Sequence, residues 1–407
     1  MAIVLSVSTM IVAVSFVNGF QKEIRGKVFS FWGHIHVVPY TLGRSYNESG
    51  IYRYPSFVKS KKAYADIAHI QPIVTKAGLI KTPDAFDGTI VRGVDTSFYW
   101  KKFKNYLIAG EVLSNDSAAR SKQLLISSST AKRLSIALGD KVLVHFPGQE
   151  IQTRAFRIAG IYETGIEEFD KDVAIGDMQL LQSLNRWGSD TVSSFEVFLK
   201  DKPLFKNKLK AYGLLFFGGL MPEEMYVRWS EDPLDIITQN FNEEIEELDI
   251  EALSVKDIYP GLFDWLELQN MNELIILILM VLVACINMVS ALLIFVLERT
   301  TMVGLLKSLG ASSRSMIGVF LYYGVLVVFL GLLLGDIVGV GLCWLQATYH
   351  IIKLPMDSYY IRYAPVSLSF WAVVIINVGT LFFCTLALLL PLRIIKNISP
   401  IKAIRFD

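Results

Sequence analysis

Four runs in this sequence carry almost no charge over the ~20 residues a helix needs to cross a bilayer. They are residues 2–20, 274–297, 316–345 and 370–392. Between the first and second lies a stretch of ordinary aqueous composition. Residues 1–19 hold no charged residue and residues 271–407 hold 14 in 137 positions, whereas residues 20–270 hold 63 in 251. That last fraction matches the ~25% of a soluble protein. The chain average of 19% charged and 53% hydrophobic residues is therefore the mean of two materials. A soluble enzyme is excluded, and so is a bundle joined only by short loops. A net charge of +1 supplies no basic face for nucleic acid. The chain reads as a membrane protein: four transmembrane α-helices with a large α+β domain of two lobes between the first and second.

Short loops rich in Lys and Arg stay on the cytoplasmic side. The loop after the second run has Arg299, Lys307 and Arg314, and the C-terminal tail has Arg393, Lys396, Lys402 and Arg405. The third-to-fourth connection has only Lys353 and Arg362, against Asp357. Both termini are expected inside and residues 21–270 outside. Lys22, Arg25 and Lys27 point the other way, but they open a loop far longer than the charge rule covers. Met1 leads straight into the first apolar run, with neither the basic n-region nor the small-x-small site of a signal peptide. The first span is read as uncleaved, its cytoplasmic lead-in missing. The expected segments are 1–20 (first span), 21–270 (external domain), 271–297 (second span) and 298–313 (cytoplasmic helix). Then follow 314–345 (third span), 346–369 (external loop), 370–392 (fourth span) and 393–407 (cytoplasmic tail).

In the external domain, alternating or apolar runs predict strands at 34–38, 90–94, 123–127, 141–146, 153–161 and 195–199. Helical spacing predicts helices at 57–70, 129–138, 177–185 and 203–212, the second capped by Ser128 or Ser129 and stopped by Gly139. The segments near 34–98 and 195–260 suggest one lobe built from both ends, with residues 99–193 inserted as a second. The acidic stretch 241–251 reads as a solvated helix face. No phosphate-binding loop, nucleophile elbow, H-E-x-x-H or C-x-x-C stands here, so no catalytic residue, metal or cofactor is expected. His34 and His36 share a strand face but lack a third ligand, and read as strand-surface residues. Glu167, Glu168 and Asp170 read as a solvated turn. Cys285, Cys343 and Cys384 fall one in each of the last three spans and read as lipid-facing or packing residues.

The membrane half is more informative. In Glu298-Arg-Thr-Thr-Met-Val-Gly-Leu-Leu-Lys-Ser-Leu-Gly-Ala311, Met302, Leu305, Leu306 and Leu309 form one helical stripe. Thr300, Gly304, Lys307 and Ala311 lie opposite, Gly310 stops the helix, and Ser312 or Ser313 can cap the next one. This is a short amphipathic helix on the cytoplasmic surface, with one face in the interface and one presented to a partner. In the third span Gly331, Gly335 and Gly339 recur every four residues, a face that lets helices approach closely. Asp336 beside them is costly in lipid and is expected to face a cavity, a partner or headgroups. Asn287 is expected to hydrogen-bond between helices.

The 298–311 string, placed directly between two spans, resembles the signature of the FtsX/MacB-type ABC transporter permeases, which have an acidic residue where Met302 stands and Ile where Val303 stands. The ending from Pro391 to Arg405 and the layout of one span, a large external domain and three spans are also similar. Val17-Asn-Gly-Phe20, Gly93-Val-Asp95, Leu138-Gly-Asp-Lys141, Ile158-Ala-Gly-Ile161, Phe169-Asp170, Leu262-Phe-Asp-Trp-Leu266 and Leu354-Pro-Met-Asp-Ser-Tyr-Tyr360 resemble the lipoprotein-releasing (LolC/LolE) type within that family. The resemblance implies a non-catalytic subunit in the bacterial inner membrane, its large domain in the periplasm. It implies a cytoplasmic ABC ATPase and a second permease subunit, the same or homologous, as partners. Lipoproteins would be the substrate, passed to a periplasmic carrier. The carrier-docking member has a long, proline-bearing hairpin, and the matching turn here, 145–152, is short, with Pro147 alone. Glu298, Arg299, Gly304, Lys307, Gly310 and Ala311 would then couple to the ATPase. Phe16, Phe20, Leu268 and Ile275, where the first two spans flank the external domain, are candidates for touching the lipoprotein. The alternative is an FtsX-like or MacB-like mechanotransmission permease serving cell-wall hydrolase activation or efflux.

Overall fold

The computed structural model describes residues 1–40, 50–53, 67–83, 85–148, 150–200, 232–245, 249–355 and 359–392. The predicted helix at 203–212, the cytoplasmic tail and most of the predicted 57–70 helix lie outside them. Helices of more than one turn, in chain order, are α1 (Ala2–Trp32), α2 (Ser128–Arg133), α3 (Glu167–Asp172), α4 (Met178–Leu184) and α5 (Pro233–Ile245). They continue with α6 (Pro260–Glu298), α7 (Thr300–Ser308), α8 (Ser313–Tyr349) and α9 (Phe370–Leu392). The chain divides into two compact units, residues 25–262 and residues 1–24 with 263–407. The apolar runs at 2–20 and 274–297 are parts of longer helices, which continue to Trp32 in one case and begin at Pro260 in the other.

The 25–262 unit is built on a ten-stranded sheet. Its strands are β1 (Ile35–Pro39), β3 (Ile67–Lys81), β4 (Phe86–Val94), β5 (Leu107–Gly110), β6 (Gln123–Ser127), β7 (Lys141–Phe146), β8 (Gln152–Tyr162), β9 (Val173–Asp177), β11 (Ser194–Leu199) and β12 (Ile250–Ser254). Two short strands, β2 (Ile51–Tyr52) and β10 (Thr191–Val192), pair with each other. The main order is β12-β1-β11-β3-β4-β9-β6-β8-β5, with β7 against β3 and β8. The two lobes meet in β3. Its residues 67–73 pair with β11, which belongs with both chain ends of the unit, and its residues 74–81 pair with β4. One apolar core, from Ile35 and Val37 through Val144 and Phe156 to Ala252, runs under both.

β3 is where helical spacing misleads. Ile70, Gln71, Ile73 and Val74 are all buried, so both faces of this strand are covered and the period-two signal is lost. Residues 67–70, predicted as helix, are therefore strand. The cap of α2 is Ser127, one residue earlier than predicted, its hydroxyl accepting from Thr130 N–H at 3.0 Å. Phe241 and Ile245 of α5 are buried, so the acidic stretch carries an apolar face as well.

The other unit holds α1, α6, α8 and α9, four helices long and apolar enough to cross a membrane. Of α1's most apolar window 61% is buried, against 17%, 28% and 22% for the others, so α1 is the central helix. It runs parallel to α8: a Cβ on Gly331, Gly335 or Gly339 would stand 2.9 Å from Ile3, 2.8 Å from Val7 and 3.1 Å from Ile11. Apolar lipid offers no hydrophobic drive for helices to associate, so close van der Waals contact of this kind must supply it.

Candidate functional site

The short helix α7 is shaped at both ends by local chemistry. Gly310 adopts φ +95°, a conformation that favours glycine. It lets Gly310 N–H reach Lys307 O at 3.1 Å and Ala311 N–H reach Leu306 O at 2.9 Å, the paired bonds of a Schellman stop. Ser312 then caps α8, its hydroxyl accepting from Ser315 N–H at 3.1 Å. The connection is thus a fixed corner. On α7 itself Met302, Leu305, Leu306 and Leu309 are exposed, while Val303 and Gly304 are buried within the chain. Gly304 was expected on the partner-presenting side and is not there. Glu298, Arg299 and Gly310 are exposed, Lys307 and Ala311 are half-buried, and the Arg299 guanidinium lies 5.8 Å from the Phe295 ring.

The four lipoprotein-contact candidates do not form one surface. Phe20 is buried and stands edge-on to Trp265 at 5.4 Å, and Phe16 packs behind it at 6.0 Å, half-buried. Leu268 and Ile275 point outward from α6 at 60% and 52% exposure. Gln21, which sequence reasoning passed over, ties α1 to α6 here. Its Nε2 donates to Leu266 O at 2.9 Å and to Asn270 Oδ1 at 2.8 Å. An amide buried beside apolar residues signals such a bond, but its partners 245 and 249 residues away cannot be read from spacing.

Asp336 is half-buried, and Asn377 of α9 donates to both its carboxylate oxygens at 2.9 and 3.0 Å. Asn287 is exposed and bonds its own helix at Val283 O, so the interhelical role expected for it is not made within this chain. Cys343 and Cys384 are buried and Cys285 lies 3.9 Å from Cys384, which makes them packing residues.

The polar groups singled out in the aqueous unit are structural. His34 and His36 are buried, contrary to the strand-surface expectation. Burial, then the charge of Lys102 for His34 and of Arg92 for His36, lowers each imidazole to about 3, so both are neutral. Asp170 is buried too, and accepts from Thr164 N–H, Thr164 Oγ1 and Gly165 N–H, so it organises a turn while Glu167 and Glu168 stay exposed. No group of three or more metal-ligating side chains occurs among the described residues. The strongest buried polar feature was not foreseen: Arg92 pairs with Glu196, which also accepts from Gln71 at 2.8 Å. The guanidinium stacks 4.1 Å from the Trp32 ring at the end of α1.

An aqueous α+β domain between the first two of four spans, with a capped amphipathic helix between the second and third, is one architecture. The sequence matches the MacB-like periplasmic core domain over residues 1–204 and the FtsX-like permease C-terminal region over residues 274–400. The chain belongs to the FtsX-like permeases with a MacB-like periplasmic core. It is 23% identical to the lipoprotein-releasing system transmembrane protein LolC of Xylella fastidiosa, over 100% of this chain and 92% of that protein. With the protein of the same name from Neisseria meningitidis serogroup B it shares 25% identity at the same coverage. The periplasmic region of MacB from Actinobacillus actinomycetemcomitans is similar at 13% identity and a TM-score of 0.36, over 58% of this chain and 95% of that one. The permease is thus a membrane protein with a periplasmic domain, of a family of non-catalytic ABC transporter subunits. Such permeases work in pairs with an ATPase.

Proposed function

We propose that this permease releases lipoproteins from the bacterial inner membrane, driven by a separate cytoplasmic ATPase and paired with a second permease subunit. A periplasmic carrier would receive the cargo. One observation carries the reading: its similarity to lipoprotein-releasing transmembrane proteins extends over the whole chain, aqueous domain and spans alike. In this account α7 docks the ATPase through the exposed Met302, Leu305, Leu306 and Leu309, with Glu298, Arg299, Lys307 and Ala311 at the edges of the contact. Gly304, buried within the chain, shapes the helix from inside, and the exposed Gly310 stops it beside the contact. Gly331, Gly335 and Gly339 keep α1 seated on α8.

The acyl chains need an apolar surface continuous with the leaflet, since each buried CH₂ is worth ~0.8 kcal/mol. The exposed Leu268 and Ile275 offer that surface, and Phe16 and Phe20 lie deeper, reached only when α1 and α6 part. Photo-crosslinkers at Leu268 and Ile275 should capture an acylated lipoprotein without ATP and lose it when ATP and carrier are added. Trp371 and Phe382 on α9 are also exposed and should capture far less. Equal capture at both pairs would mean general lipid contact and would remove the reading's support.

A further inference from the structure

The connection between α8 and α9, read from the sequence as an external loop, has two arms that pair in its described residues. Lys353 and Tyr363 pair across it, Leu354 N–H donates to Arg362 O, and Ala364 N–H donates to Ile352 O. The buried Gln346, near the end of α8, fastens both arms: its Nε2 donates to Ala364 O at 3.0 Å and its Oε1 accepts from Ile352 N–H at 2.9 Å.

The returning arm, residues 359–367, lies on the outer end of α1. Ser367 N–H donates to Ser15 O at 2.9 Å. The backbone passes Gly19 so closely that a Cβ there would stand 2.5 Å from Pro365 O and 2.8 Å from Val366 N. Tyr360 stands edge-on to Trp265 of α6 at 5.8 Å, and Trp265 in turn meets Phe20 of α1 at 5.4 Å. Ile361 and Ala364 are buried. One arm therefore reaches the ends of two helices, beside Ser15 and Gly19 of α1 and Trp265 of α6.

Tyr360 has φ +61°, in the left-handed region that a bulky side chain avoids. A residue persists there only where its surroundings over-determine it, and such strain gathers at elements that switch. The surroundings here are apolar and aromatic. A ligand that competes for the same apolar contacts would release the strain as it displaced the arm, and an acyl chain has that chemistry. A water-soluble peptide does not.

We infer that residues 359–367 form a strap over the contact between the outer ends of α1 and α6, and that an acyl chain opens it by replacing Tyr360 against Trp265. The identity of the displacing chain rests on the lipoprotein-release reading; the seating of the strap does not. The test places one cysteine in the strap, Ala364→Cys, in a permease whose three native cysteines are replaced, assembled with its ATPase and second permease subunit. Maleimide labelling of that cysteine should be slow at rest. A synthetic triacylated lipopeptide should speed it by about tenfold or more, the size of effect expected when a protected site opens locally, and the same peptide without acyl chains should leave it unchanged. Gly19→Leu, which fills the space of Pro365, should label fast with no ligand. Trp265→Ala, which removes the seat without adding bulk, should do the same.

If both opening variants label as slowly as the parent, residues 359–367 are not seated as a strap and the inference is overturned. If they open but a lipopeptide captured at a photo-crosslinker on Ile275 leaves labelling unchanged, acyl displacement is overturned while the release reading stands. If Ile275 captures no lipopeptide in any variant, the release reading falls and takes the acyl assignment with it.

Discussion

In the aqueous unit a complete ion pair, Arg92 with Glu196, sits inside the core at 0% and 2% side-chain exposure, whereas in the membrane unit Asp336 stays half-buried and leans on a neutral amide. Water makes the difference. Folding in water gains from every apolar group buried, and that gain can carry a desolvated pair so long as each charge keeps its partners. Helices already in lipid gain nothing by hiding apolar groups from it, so contact distance decides, and glycine shortens that distance. The aqueous unit should therefore be fragile to losing a partner, and the membrane unit to added bulk.

The largest effect should come from Glu196→Leu, which leaves the Arg92 charge buried without its carboxylate. We expect a loss of ~3–5 kcal/mol in the stability of the aqueous unit, with most of it restored in Arg92→Met/Glu196→Leu. Hydrogen exchange of the β11 amides in the intact protein reads both. Next is Gly335→Leu, whose side chain has to enter the space of Val7. It should cost ~1–3 kcal/mol and loosen α1 from α8, seen as faster exchange in α1. Gly341→Leu, at a glycine with nothing near its missing Cβ, should cost little. His34 and His36 are lowered to about 3 in the fold from an ordinary 6.5, so below 6.5 the unfolded chain takes up protons that the fold refuses. Their neutral burial is fully tolerated above pH 6.5, and stability falls as pH drops from there toward 3, by ~1 kcal/mol per pH unit for each histidine. His36→Leu should roughly halve that slope in the aqueous unit and leave exchange in α8 unchanged.

The same contrast explains what could be read from residues alone. The spans and the corner between α7 and α8 were legible, because a bilayer demands long apolar runs and because Gly310 and Ser312 act within a few residues of themselves. Gly331, Gly335 and Gly339 announced a close helix contact, though not that Ile3, Val7 and Ile11 would fill it. In the aqueous unit β7 matched its predicted limits because its faces alternate, and β6, buried on both faces, matched because the Ser127 cap of α2 ends it within its own last residue. β3 did not, with burial on both faces. The Arg92–Glu196 pair, the Gln21 tie and the strap over Gly19 join residues more than a hundred positions apart, and no local period carries such pairings. In the candidate site, the burial of Phe20 against Trp265 joins positions 245 residues apart and carries no local signal.

Release of acylated proteins from a membrane, as proposed, is tested most directly by reconstitution. Proteoliposomes holding the permease, its ATPase and a triacylated lipoprotein should shed the lipoprotein into solution only when ATP and a soluble carrier are both present, and a version of the lipoprotein stripped of its acyl chains should not stimulate ATP hydrolysis. ATP hydrolysis that proceeds normally while the lipoprotein stays in the vesicles, with carrier present, would contradict the account.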